Sequence, residues 1–414
     1  MHIIKEKETK QVELKAQKFT SHSEIACTSF CPLKGYYQYL VDGTGIQQRS
    51  ISSGLFGGSI YHDLLGCKAD GQTPIASWEN ENEPETWDVD GLMVSAIGNE
   101  ADALRVFSFT SLIARVQAVH TSIANSRGME GNLNEQLALA EAQFWVFYKV
   151  RFPQILTEYN VLAVEEEYPI QLDEDIILGT KPDYILRSKA DGRLMAGEQK
   201  TTGVWFDSYF DGWRYSAQTA IECLGIEDRY GEPCDTVVME FLYKGRKHQG
   251  EVTSPLIRGY SNGIEWSHES TRKKGWEAKK VWEEMEIKDW IDKLPLEVLV
   301  NHHQTRGIHR SKAECTRWLD QARRKERRKL TAMQSGEGSD NWKEFFEGRW
   351  DADCFSNKYH QSCTFLPLCY PPGELTPQDL LDNGEFVKRE SHYDLERSVL
   401  PSGSSCKPQS RRMI

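Results

Sequence analysis

The apolar positions of this chain change their period along its length. Over 101–125 and 133–152 they recur every three or four residues, the spacing that lays an apolar stripe along a helix. The Tyr- and Gly-rich stretches at 33–48 and 55–66 read as short helices or turns. Strand-like runs follow at 161–170, 181–187 and 194–201, with Asp191-Gly192 as a hairpin signal between the last two. A helix over 212–224 and a strand over 236–244 come next, then Trp- and charge-rich helices over 272–293 and 311–330. The stretch 335–339 reads as a flexible loop, and the polar segment from 384 onward as a poorly ordered tail. The order of elements is α, then three strands, then α, then β, which predicts an α/β fold. The chain divides accordingly into an N-terminal helical region (1–150), a sheet core (151–260), C-terminal helices (261–384) and a disordered tail (385–414).

Composition narrows the class without giving a function. The chain has 414 residues, 39% of them hydrophobic and 27% charged, with a mean hydropathy of −0.58, so a sizeable core is available. It has no apolar run of about 18 residues, so no membrane span is expected. Residues 1–18 are polar and charged, unlike a signal peptide, and a cytoplasmic protein (or one of a host cytoplasm, if viral) is expected. Ten cysteines in that setting point to buried thiols or metal ligands rather than a disulfide framework. The net charge of −12 excludes a chain that is basic throughout, but local basic runs occur at 272–274, 279–280 and 323–329. Such runs form solvated helix faces or a phosphate track. Trp276 and Trp318 beside them either stack on bases or pack in the core. A P-loop is missing from the sequence, so any unwinding of a duplex would fall to a partner such as a helicase.

The densest chemistry sits on the hairpin. With Asp191-Gly192 as a two-residue loop, Ala190 pairs with Arg193 and Asp183 falls opposite Lys200. Glu198, two residues from Lys200, shares the same face. A slip of one residue would separate Asp183 from the other two. The flanking segments 176–178, 184–186 and 194–196 are apolar, so these charges lie on a buried sheet, where unpaired charge is costly and clustered charge serves a site. Two carboxylates of this kind suit Mg²⁺ or Mn²⁺ and leave coordination positions for water and a phosphate. A lysine beside them steadies the attacking water or the developing charge.

Pro182-Asp183…Glu198-Gln199-Lys200 is a literal PD…ExK, and the chain resembles the PD-(D/E)XK nuclease superfamily. Three further features are similar to its RecB-like branch of helicase-linked, CRISPR-associated and bacteriophage exonucleases, over roughly residues 20–370. One is Gly57-Gly58-Ser59-Ile60-Tyr61-His62, matching a helix whose histidine joins the metal shell. Another is Gln218, on the helix after the ExK strand, although Glu222 stands where the branch usually carries tyrosine. The third is the C-x8-C-x5-C run of Cys354, Cys363 and Cys369, together with Cys31 far upstream.

The resemblance implies a restriction-endonuclease-like core with a mixed central sheet and added helices. It implies Mg or Mn held by His62, Asp183, Glu198 and the carbonyl of Gln199, with Lys200 and Gln218 acting at the phosphate, the water or the DNA. It further implies a 4Fe-4S cluster on the four cysteines, with Cys27 competing with Cys31 for the first position. Four thiolates suit such a cluster; zinc would also accept them, though paired CxxC knuckles are missing. An acidic residue on the preceding strand, among Glu165, Glu166 and Glu167, is the remaining candidate. Alternation sets Glu166 apart from the other two, and a solvated edge strand accounts for them equally well. The implied function is a metal-dependent exonuclease acting on single-stranded DNA or DNA ends, with a helicase or recombination protein as a possible partner. A non-catalytic DNA-binding scaffold and a superfamily endonuclease or junction resolvase are the alternatives.

Overall fold

The computed structural model describes residues 18–70, 109–130, 132–245, 247–248, 251–259, 279–337, 339–346, 354, 363–369, 375–389 and 393. The chain opens with β1 (Lys18–Ser21), α1 (His22–Phe30) and α2 (Pro32–Tyr39), followed by the longer helices α3 (Ser53–Asp70), α4 (Phe109–Arg127) and α5 (Leu133–Val150). Strands β2 (Tyr159–Val164), β3 (Tyr168–Asp173), β4 (Ile176–Thr180), β5 (Tyr184–Ser188) and β6 (Leu194–Thr202) come in close succession. Then α6 (Ala217–Tyr230) leads to β7 (Cys234–Tyr243), and further on lie β8 (His303–His309) and α7 (Lys312–Gln334).

The result is a mixed α/β architecture with two principal sheets. The larger has the order β8-β7-β6-β5-β2, with β6 and β7 parallel and the other pairs antiparallel. Joining parallel neighbours requires a crossover, and α6 supplies it. The smaller sheet has the order β1-β4-β3, with β1 parallel to β4. Both faces of the larger sheet are covered, and alternate residues serve each. Tyr184, Leu186, Met195 and Val238 join one core with Phe56, Ile60, Phe144 and Phe147 of α3 and α5. Ile185, Leu194, Ala196 and Met239 join the other with Ala220 and Cys223 of α6.

Several sequence expectations are revised. The run 161–170 is not one strand: β2 ends at Val164, β3 begins at Tyr168, and the two belong to different sheets. Three successive glutamates cannot continue a strand without burying charge on both sides, and Glu165 turns the chain with φ 51°. Ile176–Thr180 is a strand in its own right, buried throughout, so it carries no alternation to read. The strand expected from 181 starts at Tyr184, because Pro182 has no N–H to give the ladder.

Within 272–293, Lys279–Lys280 is a short strand against Arg258–Gly259 and only Ile287–Lys293 is an α-helix, while 272–278, including Trp276, lies outside the described residues. Trp318 packs against a core that includes Ile25, Leu172 and Ile221. Several members of the basic run on α7 have partners within the chain, while Arg324, Lys325 and Arg328 are exposed. Arg323 donates to the carbonyl of Leu172, Arg327 pairs with Asp173 and Asp175, Arg328 with Glu344, and Lys329 is buried against Glu24 and Glu326. The tail expected to be disordered from 385 begins as an ordered strand, Phe386–Lys388, paired with Ile46–Gln48. Residues 394–414 lie outside the described residues. Among the described residues no helix is long and apolar enough to cross a membrane.

Candidate active site

The hairpin joins Asp183 to the ExK strand with a register two residues from the expected one. Tyr184 faces Gly197 and Arg187 faces Leu194, so one step beyond Tyr184 places Asp183 across from Glu198 rather than Lys200. The loop is longer than two residues: the Ser188 N–H donates to the Arg193 carbonyl (2.9 Å) and the Gly192 N–H to the Ser188 carbonyl (2.9 Å). A two-residue type I′ turn needs positive φ at both central positions; here Gly192 alone takes it, at 74°, while Asp191 does not. A shift of two preserves the face, because strand side chains alternate with period two. Asp183, Glu198 and Lys200 therefore still converge. The backbone locks this arrangement: the Gln199 N–H donates to Asp183 Oδ2 at 2.6 Å, and the Glu165 N–H to the Asp183 carbonyl at 3.1 Å.

Asp183 stands where the chain passes from the small sheet to the large one, between β4 and β5. Two other residues meet it there. His62 of α3 places Nδ1 3.4 Å from Asp183 Oδ1, and Glu165 enters from the end of β2. Among the described residues, His62, Glu165 and Asp183 each bring one ligand atom within 4.8 Å of the others. Burial would push the Asp183 carboxyl up, but His62, Lys200 and the Gln199 amide outweigh it and hold it below its ordinary value. Burial also works against charge on His62, yet Asp183 raises its pKa. Glu165 is pushed up to about 7 by burial and by Asp183, against the pull of Lys181, whose Nζ lies 3.0 Å from Glu165 Oε2. A nitrogen and two carboxylate oxygens, with negative charge crowded enough to raise one pKa, form a donor set suited to a hard divalent cation.

Glu198 and Lys200 lie on the face covered by α6. Lys200 Nζ pairs with Glu198 Oε1, and Gln218 Nε2 donates to the same oxygen at 2.6 Å. Burial pulls the lysine's pKa down, but Glu198 and Asp183 raise it well above its ordinary value, so Lys200 is a fixed positive charge rather than a proton acceptor. The Lys200 ammonium also sits 5.3 Å from the ring centroid of Trp213. Glu222, one helical turn beyond Gln218, is buried beside Glu198 and Lys200; burial and Glu198 push its carboxyl well above the usual range.

The side chain of Gln199 is on the opposite face. Its Oε1 accepts from the hydroxyl of buried Tyr61 and its Nε2 donates to the Tyr184 hydroxyl at 2.9 Å. It thus fastens α3 to the hairpin and fixes where His62, the residue after Tyr61, can reach.

The cysteines also come together. Cys31 ends α1 and precedes α2, and the segment carrying Cys363 and Cys369 packs on that region through Phe365, whose ring stacks on Tyr37 with centroids 6.0 Å apart. Burial pushes the Cys369 thiol up to about 12, with Cys363, Cys31 and Cys354 all close enough to add to the shift. Burial likewise raises Cys27 to about 11, with Cys31 and Cys363 nearby. The Cys363 N–H donates to the Cys354 carbonyl at 2.9 Å. Cys31 is buried and Cys354, Cys363 and Cys369 are half-buried, and thiols near one another suit a thiolate-ligated metal group.

No family model matches this chain, and no curated protein matches it. It is similar to a solved structure described as a phage related exonuclease from Haemophilus somnus 129PT. That likeness spans 60% of this chain and 97% of the other, at 11% identity and a TM-score of 0.26. A likeness this slight decides neither fold nor function.

Two site residues were not singled out from the sequence. His22, at the start of α1, lies close enough to Lys200 that burial and that charge push its imidazole down to about 4, so it stays neutral. Nothing in its sequence neighbourhood signals this; it follows β1, which pairs in parallel with β4. Of the three glutamates, the structure brings Glu165 to the metal-type cluster, whereas Glu166 accepts from the Tyr168 hydroxyl at 2.7 Å. Strand alternation only set Glu166 apart from the other two and left the choice open; the positive φ of Glu165 marks where the strand pattern stops.

Proposed function

We propose that the chain is a divalent-metal-dependent DNA nuclease of the PD-(D/E)XK type, with a restriction-endonuclease-like core, hydrolysing phosphodiesters at the site of His62, Glu165, Asp183, Glu198 and Lys200. The observation that carries this reading is the convergence of those residues from α3, β2, the β4–β5 junction and β6. His62, Glu165 and Asp183 would hold Mg or Mn, with Glu198 and the carbonyl of Gln199 completing the protein ligands. When bound, the metal supplies Lewis-acid polarisation of the phosphate and a lowered pKa for water. Lys200, kept charged by Glu198 and Asp183, places a fixed cation where negative charge grows on the phosphate. Gln218 holds the Glu198 carboxylate in position. His22, neutral beside Lys200, adds no competing charge.

Single-stranded DNA or DNA ends are the proposed substrate, with exonuclease action drawn from the RecB-like resemblance and a helicase or recombination protein as the proposed partner. A 4Fe-4S cluster is proposed on Cys31, Cys354, Cys363 and Cys369, supported by the gathering of those thiols.

The test is degradation of labelled linear single-stranded DNA with Mg²⁺ or Mn²⁺. Wild-type protein is expected to degrade it and Lys200→Ala to lose at least about 100-fold in rate, the scale of removing one charge-stabilising donor. DNA binding without cleavage under either metal would overturn the enzyme reading. Cleavage of circular single-stranded DNA would replace exonuclease by endonuclease. Anaerobically purified protein is expected to absorb broadly near roughly 400 nm, as a thiolate-bound cluster does, and zinc in place of iron would remove that band.

A further inference from the structure

Between β6 and α6 the chain becomes strongly aromatic. Six of the eleven residues from 205 to 215 are Trp, Tyr or Phe, carried on a short helix, Asp207–Gly212, and a single 3₁₀ turn, Trp213–Tyr215. Four of these rings pack together. Phe210 is buried with its centroid 4.8 Å from that of Phe241, and Trp205, Tyr209 and Trp213 lie against one or other of the two. Tyr215 does the opposite. It is 79% exposed, the highest value for a large hydrophobic residue among those described.

A lone exposed ring is ordinary on a protein surface, but this one stands at the edge of the candidate active site. Trp213, two residues earlier, has its ring centroid 5.3 Å from the Lys200 ammonium, and Gln218, three residues later, donates to Glu198 at 2.6 Å. Two residues of chain span about 7 Å at full extension, so Tyr215 stays close to the Glu198–Lys200 pair. The backbone beneath it is tied down. Arg310 donates to the Arg214 carbonyl, the Ser216 N–H to the Trp213 carbonyl at 3.0 Å, and the Gln218 N–H to the Ser216 hydroxyl at 3.2 Å. Cations flank the ring. The guanidinium of exposed Arg214 lies 5.5 Å from the Tyr215 centroid, and Lys200 lies beyond Trp213. A flat face on a fixed backbone beside such groups suits an unpaired nucleotide: the ring takes the base by stacking, and the cations take its phosphates. Bases inside a duplex have both faces covered by their neighbours and offer no such contact.

We propose that Tyr215 is a base-stacking platform that seats one unpaired nucleotide of a DNA strand next to the scissile phosphate, with Arg214 on an adjoining phosphate. The proposal rests on the nuclease reading and deepens it, because it gives a single-stranded substrate a reason within this chain.

The test is equilibrium binding of the full chain to a fluorescently labelled oligo-dT strand, with Ca²⁺ in place of Mg²⁺ so that no turnover is needed. Tyr215→Ala is expected to raise Kd about 10-fold, the scale of one base–aromatic stack, and Tyr215→Trp to bind within about 2-fold of wild type. A single abasic site moved along the strand is expected to weaken wild type at one position and to leave Tyr215→Ala unaffected there. Arg214→Ala is expected to lower the salt slope of log Kd by about 0.7, the value of one phosphate contact on a single strand; an unchanged slope would take Arg214 out of the seat. Circular dichroism checks that each variant is folded. Wild-type affinity in Tyr215→Ala, no rescue by Tyr215→Trp, or the same abasic penalty in both proteins would overturn the platform alone, provided Mg²⁺ or Mn²⁺ still supports cleavage. Binding with the expected abasic signature but no cleavage under either metal would leave the platform standing and overturn the enzyme reading. Failure of wild type to bind the strand would overturn both.

Discussion

At the scale of single residues, the three consecutive glutamates are the sharpest case of neighbours with different work. Glu165 takes a left-handed backbone conformation, pairs with Lys181 and joins His62 and Asp183. Glu166 turns to the Tyr168 hydroxyl. Glu165→Gln is therefore expected to raise the Mn²⁺ or Mg²⁺ concentration needed for cleavage by about 10- to 100-fold, the scale of a lost ligand-shell contact. Glu166→Gln should stay within a few-fold of wild type. Titrating nuclease activity with metal checks both, and equal losses would remove the distinction. The sequence carried Asp183, Glu198, Lys200 and His62 because their spacing encodes a strand face and a helix motif. It could not carry the choice among the glutamates, which depends on one φ angle set by how β2 and β3 leave for different sheets.

At the scale of elements, α6 matters most, since it delivers Gln218 and Glu222 to the ExK strand. It lies close to the small sheet at Gly225, where an added Cβ would meet Thr180 Cγ2 of β4 at 2.3 Å. Gly225→Ala should cost roughly 1–3 kcal/mol through overpacking and lift α6 away from Glu198. A lower denaturation midpoint together with reduced cleavage is the expected pair of results; an unchanged midpoint would mean the helix has room to spare. The hairpin teaches a related lesson. Its turn residues were legible but its loop length was not, because Asp191-Gly192 fits both a two-residue turn and the end of a four-residue one. The site survived the misreading because the shift was even.

At the scale of the whole molecule, α7 ties its C-terminal half to the first elements of the chain through buried charge. Lys329 Nζ lies 2.7 Å from Glu24 and 2.5 Å from Glu326, with Lys18 of β1 at 4.0 Å from Glu24. Lys329→Met would strand both glutamates in the interior and should cost roughly 3–5 kcal/mol, read as a fall in Tm. Lys18 gives the same cluster a pH signature. Burial and the charge of Lys329 push its ammonium down to about 8 from 10.5, despite Glu24 and Glu326. The folded chain thus releases this proton before the unfolded chain does. Between those two values the unfolded state binds more protons, so the Lys18 contribution to stability rises with pH and is level below that window. Denaturation of wild type and Lys18→Met at about pH 7 and about pH 10 checks the sign: the wild type should gain relative to the variant at the higher value.

The sequence by itself determined the α/β pattern, the PD…ExK hairpin and the cysteine spacing. Each is encoded in a local period or spacing: two for a strand, about 3.6 for a helix, a short count between ligands. What the tertiary structure decided is everything that joins distant segments. It put His62 and His22 beside a hairpin more than a hundred residues away, and it gathered Cys31 with Cys354, Cys363 and Cys369. It also paired Arg327 and Lys329 of α7 with internal carboxylates, and it set Glu222 against Glu198. The physical reason is that such pairings are selected by the packing of whole sheets and helices, whose register and approach no local pattern records.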